Sequence, residues 1–293
     1  LLADCPSRGW TGVAARARTT LGMALWSRGD LSEALAVLDE NRRSLASTDQ
    51  PTYRAMCANS LTQVLIGLGE LERAREAVTW GLENAGDMAT TPGVLHRLRG
   101  VISLSEGRLD EADRDLETAL GILDTAGARN SIAFVLVDRA EVARLRGQLD
   151  VAEAGYRDAA RRVALTGSSG RLIAEINLGL VLVQRERYAA AARVFDDLLV
   201  RTSRRHIVGL SHLGLVVSAA SERDPAAWDD HWARAFDVLG DAVLLDAAHL
   251  ARTASTLATE AGWTDRAGRA RQVAATQLRK LGRFDEADAC CET

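Results

Sequence analysis

A short phrase recurs seven times in this chain, and its spacing limits the folds open to it. Gly29-Asp30-Leu31 is followed by Ala34, Gly69-Glu70-Leu71 by Ala74, Gly107-Arg108-Leu109 by Ala112 and Gly147-Gln148-Leu149 by Ala152. Glu186-Arg187-Tyr188 with Ala191 continues the series with Glu in place of Gly, and weaker copies stand at Ser221 with Ala226 and at Gly262 with Ala267. A second feature keeps the same register. Seven residues before each turn residue stand Gly22, Thr62, Gly100, Ala140, Gly179, Gly214 and Ser255, all of them small. Two antiparallel helices joined by a tight turn approach within the usual ~8–10 Å only if small side chains occupy their crossing. The turn Gly ends the first helix in a left-handed conformation. The apolar residue nine after the turn (Leu38, Val78, Leu116, Tyr156, Phe195) then completes the buried face of the second helix.

Read this way, first helices are expected at 12–28, 52–68, 93–106, 131–146, 171–185, 206–221 and 244–261. Second helices are expected at 31–46, 71–85, 109–125, 149–165, 188–202, 226–239 and 264–280. Asp110 and Asp150 are placed as N-caps, and Asp224-Pro225 reads as an N-cap followed by Pro at the first helical position. Pro51 and Pro92 fall between pairs, where breaks belong, and Gly167-Ser168-Ser169-Gly170 reads as a loop. Gly282-Arg283-Phe284-Asp285-Glu286-Ala287 repeats the turn phrase with little chain left, as a short capping helix would. Aromatic residues make up only 4% of the chain, which disfavours a β-sandwich. The fold class is therefore all-α: a right-handed α-solenoid of about seven helix pairs plus a C-terminal capping helix, forming one superhelical domain over residues 1–293.

These residues resemble the tetratricopeptide repeat family, whose pattern is a Leu-Gly pair in the first helix, a Gly-Asp-type turn, then an Ala and an aromatic in the second. Leu21-Gly22 with Gly29-Asp30 and Ala34, and Asn177-Leu178-Gly179 with Tyr188, Ala191 and Phe195, match it best. The period here, near 39, is longer than the family's ~34. The long period is similar to that of repeats trailing large bacterial Ser/Thr kinases and multidomain signalling ATPases. The resemblance implies a cytoplasmic, non-catalytic protein-interaction scaffold that binds a protein or peptide segment, including a second copy of itself, in its concave groove. The alternative it implies is a regulatory sensor arm in bacterial signalling, whose catalytic domain lies elsewhere. The chain opens at Leu1 without Met and reads as a piece of a longer protein.

First helices line the inner wall of such a solenoid. The residues ten, six and three before each turn give the expected lining: Met23 and Trp26 beside Thr19; Ile66 beside Asn59 and Gln63; Arg97, Val101 and Leu104; Val137 and Arg144 beside Glu141; Ile176, Leu180 and Val183; and Leu215 between Ser211 and Ser218. Copy seven gives the polar set Arg252, Thr256 and Thr259. The wall is either an open groove or closed core. Family members that clamp a carboxylate use Asn with Lys or Arg along this wall; Asn59, Asn177, Arg97 and Arg144 do not share one register, so no clamp is assigned.

A net charge of −4 is not that of a nucleic-acid reader. The apolar runs are too short to span a bilayer. Cys5, Cys57, Cys290 and Cys291 lack metal spacing, and neither a phosphate loop nor an H-E-x-x-H pair occurs. The five histidines are scattered, with His206 and His212 the two best placed to approach each other. No cofactor, metal or catalytic residue is assigned. The Arg clusters at Arg161-Arg162, at Arg204-Arg205 and along Arg266 to Arg283 read as solvated faces or as a docking patch for an acidic partner. Trp228 and Trp232, four apart, read as core or as a binding hot spot.

Overall fold

The computed structural model describes residues 11–86, 88–164, 170–240 and 244–290. Among these residues the chain forms helices and turns with no strand. The helices alternate as the phrase requires. First helices are α1 (Thr11–Arg28), α3 (Pro51–Leu68), α5 (Thr91–Ser105), α7 (Arg129–Leu145), α9 (Gly170–Gln184), α11 (Arg205–Ser221) and α13 (Leu245–Glu260). Second helices are α2 (Leu31–Ala46), α4 (Leu71–Asn84), α6 (Leu109–Thr125), α8 (Leu149–Ala164), α10 (Tyr188–Arg201), α12 (Pro225–Leu239) and α14 (Thr264–Lys280). A short α15 (Phe284–Ala289) follows, burying Ala287. Of the loop expected at 167–170, residues 167–169 lie outside the described residues, and Gly170 opens α9.

Two compact units divide the chain, Leu1–Arg146 and Gly147–Thr293. In the first, each helix packs on its chain neighbour, and α1, α3, α5 and α7 pack on one another in that order. In the second, α9 packs on α11 and α11 on α13, and α9 also reaches α13 directly.

The turns explain why Gly recurs. Gly29, Gly69, Gly107, Gly147 and Gly262 all have positive φ, and after Gly29, Gly69, Gly107 and Gly262 the next residue donates its N–H back to the last turn of the first helix, as Asp30 does to the Leu25 carbonyl at 3.0 Å. That bond closes carbonyls the helix end would otherwise leave open. Glu186 adopts the same left-handed conformation at φ 57, with the matching bond from Arg187 to Leu182 at 2.9 Å.

Copy six corrects the sequence reading. The left-handed residue is Arg223, at φ 57, and Asp224 donates to the Ala219 carbonyl at 2.9 Å. The turn therefore sits two residues later than Ser221. Ala226 is exposed, and Trp228 takes the place of the buried Ala five after the turn. The register of the wall moves with it, to Leu213, Val217 and Ala220, and Leu215 falls out of that row. Gly214 has a different job: its backbone lies against the ring of Phe195 from the preceding pair.

Two caps are also corrected. Asp110 and Asp150 lie inside the first turns of α6 and α8; Asp110 pairs with Arg146 at 2.6 Å and Asp150 with Arg185 at 2.6 Å. Their charge still suits the positive helix end. Asp224 does cap: its Oδ1 accepts from the N–H groups of Ala226 and Ala227, both at 3.0 Å.

At the crossings, small residues meet large ones. Leu38, Val78, Leu116, Tyr156 and Phe195 are fully buried. Gly22 faces Leu38, Gly100 faces Leu116 and Gly179 faces Phe195, each with no room for a larger side chain. Ser255 serves differently, its hydroxyl donating across the pair to the Ala267 carbonyl at 3.0 Å.

Candidate functional site

In the first unit the positions expected to line the wall keep apolar surface. Trp26 is 39% exposed. Met23, Ile66, Val101 and Leu104 are half-buried, with Ile66 and Leu104 each resting on a core cluster. Gly67 faces the Trp26 indole nitrogen and Leu31 at ordinary contact distance. Between these side chains sit Asn59 and Gln63, tied to each other by a 3.2 Å hydrogen bond from the Gln63 amide to Asn59 Oδ1. The surface is thus a mixed row of large apolar and amide side chains on α1, α3 and α5.

Its cations are already engaged. Arg97 donates to Asp138 at 2.7 Å and lies over the Phe134 ring at 5.4 Å. Burial pushes the Asp138 carboxyl up, while Arg97 opposes it. Arg144 is buried and donates to Glu141 at 2.8 Å. Val137 beside it is buried as well. Sequence reasoning missed Asp138 and Phe134, because nothing local links Arg97 to residues about 40 further on.

The second unit differs. Ile176 and Leu180 are each 5% exposed and Val183 4%. The shifted row of α11, Leu213, Val217 and Ala220, is buried too, and so are Ser211, Leu215 and Ser218. Both α9 and α11 pack on α13. Only the end of the row, Arg252, Thr256 and Thr259 on α13, stays exposed.

Charged clusters elsewhere resolve into ion pairs. Arg162 and Arg161 both reach Asp158. Glu153, almost wholly buried, takes Arg157, Arg185 and Arg187. Asp115 is held below its ordinary range: burial raises it, and hydrogen bonds from His96 and Arg99 outweigh that. The exposed pairs among them, such as Arg161 and Arg162 with Asp158, contribute little to stability.

Trp228 is core: it is fully buried and stacks on Trp232 with ring centroids 5.7 Å apart. His212 pairs with His231, Nδ1 to Nδ1 at 3.1 Å, in place of the expected partner His206. Burial pushes both imidazoles below their ordinary value, and for His212 the neighbouring His231 adds to the effect. Asp196, Asp230 and Arg234 face the pair. The folded chain therefore takes up these protons less readily than the unfolded chain. The stability involved is complete above about pH 6.5 and is lost as pH falls through the folded values. The urea midpoint should drop between pH 6.5 and 5, and His231→Gln should flatten that drop; an unchanged slope in the variant would contradict the assignment. Among the described residues no three His, Cys, Asp or Glu side chains converge as a metal site, and no helix is long and apolar enough to cross a membrane. Cys57 is buried, which pushes its thiol up to about 12, so it is no nucleophile near neutral pH. Cys290 is buried as well, while Cys5 and Cys291 lie outside the described residues.

No family model matches the chain. Among curated proteins, the Tonsoku-like protein of Bos taurus is 28% identical over 170 residues, 56% of this chain and 11% of that protein. Solved structures align over far more of it. A Rap protein complexed with Competence and Sporulation Factor gives a TM-score of 0.75 at 14% identity, covering 91% of this chain and 75% of that one. The Rap conjugation gene regulator of plasmid pLS20, in complex with a Phr peptide, gives 0.71 at 18%, covering 91% and 74%. A signal-transduction ATPase with a tetratricopeptide-repeat sensor, from Pyrococcus horikoshii, gives 0.64 at 13%, covering 95% and 44%. The fold is that of the tetratricopeptide-repeat solenoids. Its repeat geometry accounts for the glycines at the crossings of α1, α5 and α9 with their partners and for the left-handed turns.

Proposed function

We infer that this chain is a protein-interaction module without chemistry of its own, which receives a peptide or protein segment along α1, α3 and α5. One observation carries the reading: Met23, Trp26, Ile66, Val101 and Leu104 keep exposed surface in the first unit, while Ile176, Leu180 and Val183 on α9 in the second are buried. A row of apolar side chains that stays open marks a partner site more often than chance exposure does. Trp is also the residue most enriched among binding hot spots. Asn59 and Gln63 add amide groups that suit an extended main chain, and a structurally similar Rap regulator holds a peptide. Partners by this reading are protein or peptide, a second copy included.

A second reading keeps the same surface and makes it regulatory. The similar Pyrococcus horikoshii protein joins a tetratricopeptide-repeat sensor to an ATPase, and a segment docked on α1, α3 and α5 would then control a catalytic domain outside this sequence.

Peptides selected from a random display library on the full chain test the surface. Trp26→Ala and Val101→Gln should each weaken the selected peptides by about tenfold or more, with the cooperative melt retained. Val200→Glu, on an 87% exposed side chain of α10, should leave them unchanged. Equal binding by all three variants would remove the proposal.

A further inference from the structure

The basic run Arg266 to Arg283 is mostly occupied. Arg266 and Arg269 hold Asp229, Arg279 holds Asp288 at 3.0 Å, and Arg283 holds Glu286 at 2.5 Å. Arg271 is different. Half-buried on α14, its guanidinium has no ion-pair or hydrogen-bond partner among the described residues. It lines a pocket of about 270 Å³ walled by α13, α14 and α15, and Arg252, likewise unpaired and more exposed, lines the same pocket.

Two arginines thus border one cavity with no carboxylate paired to either, and an anion placed between them would complete the charge. Nearby hydroxyls compete little for that role, since Ser255 donates to the Ala267 carbonyl and Thr256 to the Arg252 carbonyl. The rest of the lining includes Ala274 and Ala289, small and apolar, with Glu286 at the side already engaged by Arg283. The volume lies near the small end of ligand cavities.

We propose that this pocket binds a small organic anion, its carboxylate held between Arg252 and Arg271 and a short apolar tail resting on Ala274 and Ala289. Guanidinium is the group best matched to a planar carboxylate. A free short-chain acid and the terminal carboxylate of a peptide share that chemistry. The site lies away from Trp26 and Val101 in sequence and belongs to the second unit, so it stands or falls apart from the peptide surface above.

Titration calorimetry of the full chain uses isobutyrate, the uncharged isobutyramide, and N-acetyl-Ala-Val with a free or an amidated terminus. The proposal expects a carboxylate probe to bind and its amide counterpart not to. Arg252→Gln and Arg271→Gln should each weaken binding by about tenfold or more, as loss of a charge-assisted hydrogen bond does, while Trp26→Ala leaves it intact. Binding by isobutyrate assigns the free acid, and binding by the peptide acid alone assigns a peptide terminus. Neither Arg forms an ion pair, so both variants should melt with wild type. Failure of both carboxylates to bind, binding of the amides as tightly as the acids, or binding that survives both Arg substitutions would overturn it.

Discussion

Leu180→Asp should destabilise the second unit by about 4 kcal/mol or more. Leu180 is 5% exposed between Ile176 and Val183, on a helix that packs on α8, α10, α11 and α13. Removing a buried Leu side chain alone costs about 2–5 kcal/mol. A carboxylate in its place adds the cost of a polar group taken from water with no partner. Leu180→Met, which nearly conserves volume, should cost less than about 1.5 kcal/mol. Urea melts of the two variants decide the point. A Leu180→Asp chain within about 0.5 kcal/mol of wild type, the range of ordinary surface changes, would show that α9 faces open solvent there.

Gly179→Leu should cost about 1–3 kcal/mol or more by overpacking. A Cβ at Gly179 would lie 2.4 Å from Phe195 Cε1, and one at Gly214 would lie 2.1 Å from Phe195 Cε2. Phe195, fully buried, is thus held between a glycine of its own pair and a glycine of the next, and its ring cannot retreat from one without striking the other. The same geometry predicts coupling. In a Gly179→Ala, Phe195→Leu double mutant, the smaller side chain should recover part of the overpacking cost, giving a non-additive cycle. Strict additivity, or a melting temperature unmoved by Gly179→Leu, would place the crossing elsewhere.

Local features of this fold were legible in the sequence. At three crossings the glycine seven before the turn meets the large residue nine after it: Gly22 with Leu38, Gly100 with Leu116 and Gly179 with Phe195. The fourteen expected helices of the pairs lie within two residues of those observed at every end. Copy six went astray because its left-handed turn residue is Arg223, a residue type that carries no turn signal, while Ser221 and Ala226 imitate the phrase two residues early. Trp228 then fills a place that Ala fills elsewhere.

The state of the inner wall was not legible. Leu180 and Val101 stand at the same place in the repeat and are both aliphatic, yet one is buried and the other half-open. The difference comes from contacts between repeats, such as α9 with α13, which no single repeat encodes. The same holds for Arg97, whose guanidinium is taken by Asp138 from the next pair, and for His212, paired with His231 across α11 and α12.

Photo-crosslinking tests the interaction surface most directly. A benzophenone side chain placed in turn at positions 26, 101 and 200 of the full chain is irradiated with a bound, display-selected peptide. Crosslinks at 26 and 101, with none at the exposed position 200 of α10, are the result expected from a segment lying along α1, α3 and α5. Crosslinking at 200 with none at 26 or 101 would contradict it.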